Sequence, residues 1–280
     1  MQALQQCHPL VYRSTESPEA ELILKLPLKN PLLQIHYSKC SQLAPVEQSK
    51  FSYTSCDMQV VICPGIHPPA LTAQFVQAIP LPTAWIYPAP EAPAYSGGHI
   101  LAFLLRRFYG DAADCYGQFD IQRLDIQSMV QTPLLLIGFS AGVVGAITAA
   151  DLWQALGGRV VALIAVDGWG MPLRAMFPVH RFSHDPFTHW SSALLDEMRL
   201  NPTELEAESI HFYADPPVGH LNLWRAPQVT QGWAVSTQGS TQGRQQYLRS
   251  NAADLLRQIM AHYQCESENQ GQSKSRSLVK

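Results

Sequence analysis

Charge is scarce in this chain. Asp, Glu, Lys and Arg make up 15% of its 280 residues, where an ordinary globular protein carries about a quarter. The 19 basic and 22 acidic residues leave a formal net charge of −3. Such a composition offers no positive stripe of the kind a nucleic acid requires; only the stretch from Lys274 to Lys280 is locally basic. None of the six cysteines forms a Cys-x-x-Cys pair, which argues against a zinc ribbon or a redox motif. No run of about 18 apolar residues occurs, which argues against a membrane span and leaves peripheral contact open. Met1 to Ser14 hold no basic start followed by an apolar stretch, so no secretory signal is expected and a reducing, cytoplasmic setting is the default.

What is present is an alternation of strand and helix patterns. Residues 1–55 read as an N-terminal extension with two short strands, Leu22 to Leu28 and Leu32 to Tyr37, turned by Lys29-Asn30-Pro31. Residues 56–264 read as one core domain. Met58 to Cys63, Thr83 to Tyr87, Thr132 to Phe139, Arg159 to Val166 and Ser209 to Ala214 are short apolar runs with the look of strands buried on both faces. Residues 70–79, Gly98 to Tyr109 and Ala141 to Leu156 carry apolar residues at helical spacing between them. That order predicts a mostly parallel sheet with helices on both faces. Gly232 to Thr237 reads as an edge strand, and Arg244 to Tyr263 as a terminal helix. The alternation stops at Met171, and the stretch of about 171–207, rich in Pro, His, Phe and Trp, reads as a lid-like insertion. Residues 265–280 read as a disordered tail. Cys63, inside an apolar run, reads as a small buried hydrophobe.

One motif stands where chemistry is expected. Gly138-Phe139-Ser140-Ala141-Gly142 follows the apolar run Leu134 to Ile137 and opens a helix. A serine at such a strand-to-helix turn is lifted out of the sheet edge, with glycines clearing space on both sides. Its hydroxyl is a weak nucleophile and needs a base and an orienting acid elsewhere.

Three segments together resemble the α/β-hydrolase superfamily over roughly residues 56–263: Val60-Val61-Ile62-Cys63-Pro64-Gly65, Leu135 to Gly142, and Gly219-His220-Leu221. The resemblance implies that Ser140 is the nucleophile and His220 the base. It also places the oxyanion loop after Gly65, where the usual His-Gly pair is replaced by Pro64-Gly65. The backbone N–H groups of Ala141 and Ile66 are then the candidate oxyanion donors, because Pro68 and Pro69 cannot donate.

The partners of Ser140 are less constrained. Among ten histidines, His220 is best placed, with His184 or His189 as alternatives. Two aspartates compete for the acid. Asp167 ends the strand after the Ser140 helix; Asp215 ends the next clear strand, five residues before His220. If His220 is the base, its own strand does not easily supply the acid as well, which favours Asp167. The segment His180-Arg-Phe-Ser-His184-Asp185-Pro-Phe-Thr-His189 groups metal-ligating types, but Pro186 interrupts any shared helical face, and neither a metal nor a cofactor is expected. Phe177, Phe182, Phe187, Trp190, Trp224 and Trp233 flank these loops and are candidates to line an apolar pocket.

The expectation is a serine hydrolase that cleaves a small-molecule ester or thioester with a hydrophobic part. The rival is a non-catalytic binding or assembly protein that keeps the fold. The oligomeric state is open.

Overall fold

The computed structural model describes residues 22–25, 34–37, 58–81, 83–109, 132–168, 170–173, 175–197, 209–236 and 246–277. β1 (Leu22–Lys25) and β2 (Gln34–Tyr37) pair antiparallel in a sheet of their own. The remaining strands are β3 (Gln59–Cys63), β4 (Trp85–Ile86), β5 (Leu134–Phe139), β6 (Val160–Val166), β7 (Val179–Ser183), β8 (Ile210–Ala214), β9 (Gln231–Ser236) and β10 (Gln246–Asn251). They form one eight-stranded sheet in the order β10-β9-β8-β7-β6-β5-β3-β4. All neighbours from β4 to β8 run parallel, and only the β8–β9 and β9–β10 pairings are antiparallel. The fold is therefore α/β with a mostly parallel sheet.

Helices cover both faces. The period of two along a strand sends alternate side chains to opposite sides. Val61, Cys63, Leu136, Leu163 and Ala165 pack with α2 (Gly97–Tyr109) and α3 (Ala141–Ala155). Val60, Ile62, Leu135, Ile137 and Ile164 pack with α1 (Pro69–Ala78), α5 (His220–Arg225) and α6 (Ala252–Ser277). α4 (Pro186–Glu197) follows β7. Each fully buried aliphatic or aromatic side chain contributes about 1.5–3 kcal/mol, so β3, β5 and β6 form a stiff floor under the loops at their carboxyl ends. Cys63 is wholly buried, as its apolar run implied, and burial pushes its thiol up to about 12. None of the described helices is long and apolar enough to cross a membrane.

Three expectations are corrected. The first concerns the stretch of about 171–207. Its middle is not an insertion: β7 lies between β6 and β8 in the sheet. Its sequence, Val-His-Arg-Phe-Ser, hides a strand because His180, Arg181 and Ser183 are polar yet buried. His180 is tolerated there because both ring nitrogens are used. Nδ1 accepts the Ile210 N–H at 3.0 Å, and Nε2 shares a hydrogen bond with the Tyr263 hydroxyl at 2.9 Å. Burial lowers the His180 pKa to about 4, so it stays neutral. Within that stretch, residue 174 and residues 198–207 lie outside the described residues. The second correction is at the C-terminal side. Residues 246–251, expected to be helical, pair with β9 as the edge strand, and the helix begins at Ala252. The third is the tail, where residues 265–277 continue α6 instead of being disordered.

Candidate active site

The strand order places a switch point beside β3: the chain leaves β3 for β4 on one side and returns through β5 on the other. In parallel sheets a crevice opens at the carboxyl ends where the order reverses, and ligands collect there. The loops after β3 and β5 meet at this point. A Cβ on Gly65 would lie 2.8 Å from the Phe139 carbonyl oxygen and 3.0 Å from Ser140 Cβ, and one on Gly142 would lie 2.1 Å from the Cys63 carbonyl oxygen. Only glycine permits this contact between the two loops.

Ser140 sits on the turn with φ 52° and ψ −121°. A positive φ is costly for a non-glycine residue, by about 1–3 kcal/mol. Its surroundings over-determine it: the Ser140 N–H donates to the Val166 carbonyl at 2.9 Å, and its own carbonyl accepts the Val143 N–H at 3.0 Å. Ala141, the first residue of α3, has an N–H with no acceptor inside the helix. Ile66, after Gly65, has a largely exposed side chain.

Asp167 ends β6 with a second positive φ, 51°. Its N–H donates to the Phe182 carbonyl at 2.8 Å, and its side chain is only 1% exposed. The two carboxylate oxygens serve different partners. Oδ2 accepts from His220 Nδ1 at 2.9 Å. Oδ1 accepts both the His184 backbone N–H at 2.9 Å and His184 Nδ1 at 3.1 Å. A hydrogen bond from the Val218 N–H to the His184 carbonyl ties the loop before His220 to the end of β7.

His220 is held from below as well. Its ring stacks on Phe139 at 4.8 Å, Phe139 on Trp224 at 4.9 Å, and Trp224 on Phe75 at 3.7 Å. The residue that precedes the serine thus forms the seat of the histidine. A cavity of about 390 Å³ joins these groups; Ser140, Asp167, His184 and His220 line it with Thr188 and Ala141. Val144 and Met171 supply its apolar wall. No hydrogen bond joins the Ser140 hydroxyl to His220 among the described residues; catalytic contacts are often long before substrate binds.

Of the two candidate acids, Asp167 is in the site and Asp215 is not. Asp215 accepts from Trp233 Nε1 at 2.8 Å and pairs with Arg249 at 3.1 Å, and these bonds hold its carboxyl below the usual value. Of the three candidate histidines, His189 is elsewhere. It packs against Tyr213 and Trp190, and burial lowers it to about 4. His184 is present, but both of its ring nitrogens face carboxylates, Nδ1 on Asp167 and Nε2 within 3.3 Å of Asp185. Its hydrogen bond to Asp167, and then the charges of Asp167 and Asp185, raise its pKa against the opposing effect of burial. Asp185 also caps α4 through the Thr188 N–H at 2.6 Å.

The metal-ligating types between His180 and His189 do not converge, because His180, His184 and His189 face three different surroundings. Asp167, His184 and His220 do bring ligand atoms within 4.8 Å of one another. Asp167 already accepts a hydrogen bond from each imidazole, and a cation would have to displace those protons. The six flanking aromatics do not line the cavity. Phe177, Phe182 and Trp224 are core residues, Phe187 and Trp190 are exposed, and Trp233 belongs to Asp215. Val144, Met171 and Thr188 carried no signal in the sequence. No family model matches the chain, and no curated protein does.

Proposed function

We propose that this chain is a serine hydrolase of the α/β-hydrolase type, cleaving an ester or thioester. The observation that carries the reading is the His220 Nδ1 to Asp167 Oδ2 bond of 2.9 Å in the cavity that the strained Ser140 turn also lines. With Nδ1–H committed to the carboxylate, His220 presents Nε2 as the base. His184 has no nitrogen to spare.

In this mechanism His220 Nε2 takes the Ser140 proton as Oγ attacks the carbonyl carbon. The N–H groups of Ala141 and Ile66 hold the oxyanion, aided by the positive end of the α3 dipole. His220 returns the proton to the departing alcohol or thiol. Water then attacks the acyl-Ser140 ester with His220 again as base, which releases the acid. Val144 and Met171 suit an apolar acyl part, and no metal or cofactor takes part in these steps.

Stoichiometric labelling of the full chain by a fluorophosphonate, abolished in Ser140→Ala, is the expected result. An unlabelled folded chain beside a working control hydrolase would sink the reading. It would favour a binding protein that keeps the fold, the alternative to which the missing Ser140–His220 hydrogen bond points.

A further inference from the structure

A triad needs one histidine on its aspartate, and here there are two. His184 and His220 each meet a different oxygen of Asp167, their rings 5.9 Å apart and steeply inclined at 77°. The arrangement is not incidental packing. His184 is the residue just past β7, and its backbone N–H and its Nδ1 both converge on one oxygen of Asp167. That leaves the other oxygen for His220. On its far side, His184 Nε2 meets Asp185, which the cap of α4 holds in place.

A carboxylate only accepts, so a ring with a carboxylate at each nitrogen is best satisfied when both nitrogens carry protons. The titratable groups around His184 are Asp167 from the β6 end, Asp185 from the turn into α4, and His220 from α5. Thr188 of α4 shares the same cavity but is neutral. Two carboxylates outweigh one imidazole.

Resting on the hydrolase reading, we propose that His184 is a positioning residue for the triad. Held as an imidazolium between Asp167 and Asp185, it partly balances the Asp167 charge and fixes which oxygen faces His220. Two consequences follow. The carboxylate cannot rotate away from His220 without breaking two bonds to residue 184. The positive charge also offsets part of the negative field that Asp167 sets up at His220.

Two measurements on the full chain test this. Nitrogen-15 histidine spectra read the bridge without reference to activity. His184 is expected to show both nitrogens protonated at neutral pH, and to lose that proton at lower pH in Asp185→Asn. A neutral His184 at pH 6 overturns the proposal. The second measurement is the rate of fluorophosphonate labelling of Ser140 against pH in His184→Asn and His184→Gln. Asn offers Asp167 a neutral donor and guards against simple collapse of the site. The acid limb is expected to move up by about one pH unit, so that labelling near pH 6 falls about tenfold while the alkaline plateau changes little. An equal loss at every pH, or no change, overturns the positioning role. Failure of the parent chain to label at any pH instead overturns the hydrolase reading and the positioning role with it, while the spectra still report whether the bridge exists.

Discussion

Asp167 and Asp215 end parallel strands of the same sheet, with one strand between them, and they have opposite surroundings. The Asp167 side chain is 1% exposed and touches two imidazoles; that of Asp215 is 47% exposed and touches an indole and a guanidinium. Asp215 is five residues from His220 in sequence, whereas Asp167 is 53 away. The difference teaches that proximity along the chain is a poor guide to which aspartate meets His220. The parallel crossovers bring the ends of β6, β7 and β8 together, and the chain then turns His220 back over β5. Arg249 and Trp233 of the antiparallel edge claim Asp215 and so remove it from the cavity.

The largest test of this contrast is a pair of isosteric changes. Asp167→Asn is expected to lower the labelling or hydrolysis rate by about three to four orders of magnitude, as loss of the orienting carboxylate does in serine hydrolases. Asp215→Asn is expected to leave it within about twofold. Similar losses in both would break the comparison.

Stability should divide the same way. Asp167→Ala strips the acceptor from a buried N–H and from two imidazoles, and a loss of about 2–4 kcal/mol in a urea titration is expected. Asp215→Ala should move the same midpoint far less, because its partners can turn to water.

A third variant asks what else holds His220. Phe139→Leu keeps the core apolar but removes the face on which His220 stacks. A fall of about tenfold in kcat is expected, with the protein still folded. An unchanged kcat would mean that the stack on Phe139 does not help to position His220.

The smallest effects are in pH dependence, and their signs are opposite. Asp215 lies below its ordinary value of 3.8, so its contribution is present above that value and is lost as pH falls through the lower, folded value. The melting-temperature gap between the parent chain and Asp215→Asn should close in acid. His184 lies above 6.5, so its contribution is full below 6.5 and is lost as pH rises through the folded value. The gap to His184→Asn should be open at pH 6 and close toward pH 9. Gaps that move together would mean a global charge effect instead of two local ones.

Some of this molecule was legible without coordinates. The continuous apolar runs of β3, β5 and β6 declare strands buried on both faces, and their alternation with helices declares a parallel sheet. The glycines around Ser140 mark the tight turn. β7 was not legible, because a strand whose buried polar groups find partners on β8 and α6 lacks the local signature of burial. β10 failed for another reason: Tyr247 and Leu248 suit a helix face as well as an exposed edge, and only pairing with β9 decides between them. His184 was visible as a candidate base, but not as a second partner of Asp167.

By itself the amino-acid sequence determined the α/β class, the strand-to-helix turn at Ser140 and a short set of chemical candidates. Those depend on periodicity and backbone freedom, which act over a few residues. That Asp167 lines the cavity and Asp215 does not, that His189 lies outside it, that His184 and His220 share Asp167, and that His220 is seated on Phe139 follow only from the tertiary structure. Each is a contact between side chains on different strand ends, and the order of strands in the sheet sets those distances.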